Sequence, residues 1–215
     1  MRFEHGISKK YHRSIEDAFE TILACGADLQ KEIAEHILDS EMLIRVQPVS
    51  KLNASGITGL IDPGTTNEKI ENERLGLREA FGEIYIAIAE ETIDTGGQRG
   101  CEGTFVHEGR HAYDFARTIE SFSNADVNPL SLYDPTLYEL ELEAHRISGD
   151  YMLCIDKPEY IEEGLGLMVL GRDDEISPCY VSEEGIHRRL SESYGLDPVN
   201  NPGPHASELL GLRMK

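Results

Sequence analysis

The 215-residue chain has no tryptophan, only four cysteines and half as many basic residues as acidic ones, 20 against 40. Each shortage excludes something. Cys25, Cys101, Cys154 and Cys179 form no C-x-x-C pair, which argues against a zinc knuckle and a thioredoxin-like motif. They read instead as buried free thiols of a reducing compartment. No apolar run reaches the roughly 18 residues of a membrane-spanning helix. The opening stretch, MRFEHGISKKYHRS, lacks the apolar segment of a secretory signal. The expectation is a cytoplasmic chain, or one exported without a recognisable signal. A net charge of −20 repels nucleic-acid phosphates and anionic membranes, so neither is an expected partner. The glycine-rich stretch Asp94 to Gly100 matches neither phosphate-binding pattern and reads as a connecting loop.

What is present is a chain long enough for one domain with a substantial core. Residues 1–13 read as a flexible arm. Ser14 then opens a helix that ends at Gly26, and Asp28 caps a second, so residues 1–40 form a helical hairpin. Met42 to Val46 and Gly56 to Ile61 read as strands, and residues 65–80 as a loop or an exposed helix. Ile84 to Ala89 carries β-branched residues at 84, 86 and 88, a period of two. Helices are expected around residues 104–116, over Thr136 to Ile155, from Ser182 to Tyr194 and, briefly, from His205 to Leu212. Residues 156–181 read as irregular.

Within the helix at residues 104–116 stands His107-Glu108-Gly109-Arg110-His111, an H-E-x-x-H motif. Residues four apart share one helix face, so both imidazoles can reach one metal ion. Glu108 follows the first histidine and is placed to take a proton from a zinc-bound water, whose pKa the metal lowers. Catalytic zinc takes a third protein ligand. The Thr136 to Ile155 helix offers Glu139, Glu141, Glu143 and Asp150. Glu141 borders its apolar stripe, where an unpaired carboxylate is costly, and is the first choice; Glu143 is the fallback. Gly109 costs helix stability and suits close packing at a site helix.

The H-E-x-x-H motif followed by Glu141-x-x-Ala144 on a downstream helix resembles the zincin metallopeptidases of the gluzincin type. It is similar to the elements of membrane-embedded CaaX-type endopeptidases, of small soluble minigluzincins and of H-E-x-x-H domains in bacterial toxins and effectors. The likeness covers residues 82–155, in their motifs alone. It implies an edge strand above the cleft, expected at Ile84 to Ala89, against which an extended peptide pairs. It also implies Glu108 as general base. Many such E-x-x-A elements continue with an aspartate that supports a metal-bound histidine; here His145 stands there, and Asp114 is an alternative support. Tyr133, Tyr138, His145 and His187 are candidates to stabilise the developing oxyanion.

The expectation is therefore a single α+β domain over residues 1–215, zincin-like, with a small mixed sheet and a catalytic core at 82–155. It would bind one Zn2+ and hydrolyse a peptide or protein substrate, with the N-terminal hairpin shaping the cleft. The alternative is a catalytically silent zincin-like binding or regulatory domain.

Overall fold

Ser8, not Ser14, opens the first helix. Its hydroxyl accepts a hydrogen bond from the Tyr11 N–H at 3.4 Å, and α1 runs Lys9–Cys25. The expected loose arm is a strand at its start: β1, Arg2–Phe3, in which the Arg2 N–H donates to the Met42 carbonyl at 2.9 Å. The computed structural model describes residues 1–174 and 176–213. Helix α2, Asp28–Asp39, completes the hairpin. Strand β2, Leu43–Gln47, a short α3, Val49–Leu52, and strand β3, Gly56–Leu60, follow. The polar stretch after them is helical. Asp62 accepts hydrogen bonds from the Gly64 and Thr65 N–H groups, and Pro63 begins α4, Pro63–Asn72; α5 is Leu77–Gly82.

Ile84–Ala89, expected as the edge strand above the cleft, is instead an interior strand of the sheet, β4. The strand order is β1-β2-β4-β3, with β1, β2 and β4 parallel and β3 antiparallel to β4. The physical reason is burial on both faces. Ile84, Ile86 and Ile88 are fully buried, and Ala87 and Ala89 on the other face are buried too, the condition of a central parallel strand. The edge toward the cleft is β3, which is half-buried and carries two glycines.

Helix α6, Glu90–Ser123, absorbs the expected glycine loop. Only Gly97 leaves helical geometry (φ 56°, ψ −138°), so the helix is interrupted there and resumes into the motif. Helix α7, Leu137–Ile155, starts with reciprocal capping between Thr136 and Glu139. The region expected to be irregular contains α8, Pro158–Gly166, and the paired strands β5, Leu170–Gly171, and β6, Tyr180–Val181. Helices α9, Glu183–Tyr194, and α10, Ala206–Leu210, complete the chain.

The architecture is mixed α+β, with a small mixed sheet and helices α1, α2, α6 and α7 around one core. The N-terminal hairpin takes a different place from the one expected. A Cβ on Gly109 would stand 3.3 Å from Ile33 Cγ2 and Ile37 Cδ1. Helix α2 thus presses on the back of α6, and the hairpin buttresses the motif helix from behind. Of the four thiols only Cys101 is buried; Cys25 and Cys154 are exposed because they fall at helix C-termini, and Cys179, between β5 and β6, is only partly buried against the core. No helix among the described residues is long and apolar enough to cross a membrane.

Candidate metal centre

His107 and His111 project from one face of α6 toward α7, where Glu141 faces them. His107 Nε2 lies 3.6 Å from Glu141 Oε2, and His111 Nε2 lies 3.5 Å from Glu141 Oε1. These separations exceed those of strong charge-assisted hydrogen bonds. They match the spacing of ligands around a tetrahedral ion, whose donor atoms at zinc bond lengths stand about 3.3–3.4 Å apart. All three ligand atoms lie within 4.8 Å of one another. Glu141 Oε2 is buried and has no hydrogen-bond partner, an orphaned acceptor that a cation would satisfy. Two imidazoles and a carboxylate are a donor set that zinc accepts. The electrostatics agree. Burial favours the neutral form of Glu141, but the two histidines outweigh it and hold the carboxyl well below its ordinary range.

Glu108 is placed by β3. A Cβ on Gly56 would stand 2.5 Å from Thr104 Cγ2 and 2.9 Å from Glu108 Cγ, so only glycine lets the strand lie this close to α6. Two residues along, the Thr58 hydroxyl reaches Glu108 Oε2 at 2.7 Å and the Glu108 carbonyl at 3.1 Å. The edge strand and the motif helix are joined at the carboxylate itself.

Two clefts flank the trio. One, of about 400 Å³, runs along β3 past Gly56, Thr58, Glu108, His111 and Glu141, and its far wall is apolar. The other, of about 480 Å³, lies beside His107 and His145. Tyr194, at the end of α9, lines both. Tyr194 is 40% exposed; the partial burial of its phenol, and then the Glu141 charge, push its pKa up, against the opposing effect of Arg189. It therefore remains a protonated donor at neutral pH.

The remaining candidates go elsewhere, except His145. Glu143 pairs with Arg146, and its other oxygen lies 3.6 Å from Arg110. Asp114, 1% exposed, accepts from Arg110 Nε at 2.8 Å and from the Tyr133 hydroxyl at 2.8 Å, which leaves the buried His111 Nδ1 without a partner. Tyr138 and His187 pair with each other through the phenol and Nδ1. His145 packs on His107 with ring centroids 4.9 Å apart and meets the Tyr194 ring edge-on. Its Nε2 is buried, unpartnered and 3.9 Å from Glu141 Oε2. Burial and the neighbouring His107 push its pKa down to about 3, so the ring stays neutral. Tyr194 and Arg189 had no sequence signal, because only the docking of α9 brings them to the site. Comparison of the chain with family models, with curated proteins and with solved structures finds no match in any of the three.

Proposed function

We propose that the chain is a zinc-dependent peptidase of the zincin kind, with His107, His111 and Glu141 as the metal ligands. The observation that carries this is the coincidence of the trio with an edge strand fastened to Glu108. Bound there, zinc supplies a Lewis acid for a carbonyl oxygen and for water. An extended peptide adds to the free edge of β3 by main-chain hydrogen bonds, which lays its backbone across the cleft. Thr58 holds Oε2 of Glu108 and leaves Oε1 to take the proton of the attacking water and pass it to the departing amine. The Tyr194 hydroxyl donates a hydrogen bond to the oxygen that gains charge as the carbonyl is attacked. His145 packs against the His107 ring and restricts its orientation.

Elemental analysis of the purified protein, paired with cleavage of a peptide library, tests this. About one zinc per chain is expected, lost in Glu141→Ala and kept in Glu108→Gln, with turnover lost in both. Full activity of Glu108→Gln would refute the mechanism. The silent-domain alternative gains from one feature, the unpartnered Nε2 of His145 close to Glu141. A fourth protein ligand would close the coordination sphere and make the site structural. In that case His145→Ala lowers zinc affinity, and no peptide is cleaved.

A further inference from the structure

The two clefts beside the metal trio differ in chemistry. The one along β3 ends in Ile57, Phe115, Leu137, Leu140 and Leu210. The one beside His107 has Arg99 and Arg189 in its walls, with Glu163 as the only acidic residue among the described ones that line it. Arg99 is occupied: Nη1 lies 3.7 Å from Glu163 Oε2 and reaches the Glu159 carbonyl at 3.4 Å. Arg189 has no ion pair with a carboxylate among the described residues. Its guanidinium neighbours the Tyr194 phenol, its Nη1 makes one long bond to the Leu167 carbonyl, 3.5 Å, and its buried Nε has no hydrogen-bond partner among the described residues. The chain carries 40 acidic side chains against 20 basic ones. An arginine with no carboxylate partner among the described residues of such a chain, lining a cleft, has a place for one that a ligand can bring.

We infer that the cleft beside His107 is a subsite for a carboxylate of the substrate, held by the Arg189 guanidinium; this rests on the peptidase reading above. A guanidinium presents paired donors that match the two oxygens of a carboxylate. The lining holds one positive charge in excess, Arg189 once Arg99 is paired with Glu163, which balances a monoanion and not a phosphoryl group carrying nearly two charges. A volume of about 480 Å³ admits an acidic side chain or a chain terminus. The substrate class is a peptide with an apolar residue for the β3 cleft and, on the other side of the metal, either an acidic residue or its own C-terminal carboxylate.

The test reads binding, so it does not need turnover. Glu108→Gln protein with one equivalent of zinc is titrated into fluorescein-labelled peptides with a central phenylalanine, and anisotropy gives each Kd. In three amidated peptides glutamate, glutamine or lysine flanks the phenylalanine on both sides; a fourth has glutamine and a free C-terminal carboxylate. The glutamate peptide or the free-acid peptide is expected to bind about tenfold more tightly than the neutral amide, the effect of one charge-assisted contact. Which of the two it is identifies the source of the carboxylate. The added Arg189→Gln change should erase the ratio, and Arg189→Glu should turn it toward the lysine peptide. Equal affinities in the parent protein, absence of binding by all four, or a ratio that survives Arg189→Gln overturns the inference. The peptidase reading fails separately. Cleavage of neutral and acidic peptides at equal rates by the wild type removes the carboxylate subsite and leaves the peptidase. An Arg189-dependent acidic preference without cleavage of any peptide does the reverse.

Discussion

Gly56 is the residue on which the position of Glu108 depends. A methyl group there meets Thr104 Cγ2 at 2.5 Å and Glu108 Cγ at 2.9 Å, and neither is the free end of a long side chain. Gly56→Ala must therefore push β3 from α6 or turn Glu108 away from Thr58. The expected cost is about 1–3 kcal/mol in urea unfolding, the usual range for overpacking. Turnover should fall much further than that loss of stability implies, while zinc stays bound. Wild-type activity in this variant would show that Glu108 does not need the strand. Asp114 is a different case, because its buried carboxylate serves Arg110 and Tyr133 and not the histidines. Asp114→Ala is expected to cost about 3 kcal/mol or more, since it strips a buried guanidinium of its close partner, with little change in zinc affinity beyond that. A grouping of side chains at this scale is legible in sequence only where it imposes spacing. His107 and His111 share a face because a helix repeats, and Glu141 stands out because a carboxylate beside an apolar stripe needs a partner; the three do lie together. Tyr194 and Arg189 obey no spacing rule relative to them.

The elements follow the same division between what is local and what is not. Periodicity finds α1, α2, α7 and α9, whose apolar stripes are complete within the segment. The place of Ile84–Ala89 in the sheet is not local. Its nearly continuous apolar run fits a strand covered on both faces, and the edge role falls to Gly56–Leu60, whose glycines weaken it as a strand but let it approach α6. The glycine-rich stretch 94–100 misleads for a related reason. Glycine permits a break without requiring one, and of Gly96, Gly97 and Gly100 only Gly97 takes a positive φ. The neighbours Gly96 and Gly97 therefore form a paired test. Gly96 is helical with nothing within 4 Å of an added Cβ, so Gly96→Ala should stabilise by about 0.4–1 kcal/mol. Gly97→Ala meets the same open space, but at φ 56° and ψ −138° it should destabilise by about 1 kcal/mol or more. Thermal unfolding of the two variants decides it. Equal shifts would mean that the helix runs unbroken through this point.

At the scale of the whole molecule, the core is tied together by groups that must keep their protons. Glu102, 2% exposed on α6, accepts hydrogen bonds from the Tyr151 hydroxyl on α7 at 2.8 Å and the Tyr160 hydroxyl on α8 at 2.7 Å. Gln98 satisfies its other oxygen at 2.9 Å. Tyr133 is bound to Asp114 in the same way. Burial, and then the carboxylate each one faces, push all three phenols above their ordinary range, and burial pushes the Cys101 thiol up to about 12. In each case the folded pKa is the higher one. Between the unfolded value, 9 for the thiol and 10 for the phenols, and the raised folded value, the native state binds more protons than the unfolded state. Stability therefore falls as pH rises through that window, and it is fully present below pH 9 as far as these groups are concerned. With a net charge of −20 the chain already repels itself at neutral pH, and every proton lost on the alkaline side adds to that repulsion. Denaturant unfolding between pH 8 and pH 11 should show a steady loss of stability beginning near pH 9. Tyrosinate absorbance should lag in the native protein relative to the unfolded chain. Tyr151→Phe with Tyr160→Phe should flatten the slope while lowering stability at pH 8, because Glu102 loses two donors. A stability that is level from pH 9 to pH 11 would mean that Glu102 is reached by water, and that α6, α7 and α8 are held together by apolar packing alone.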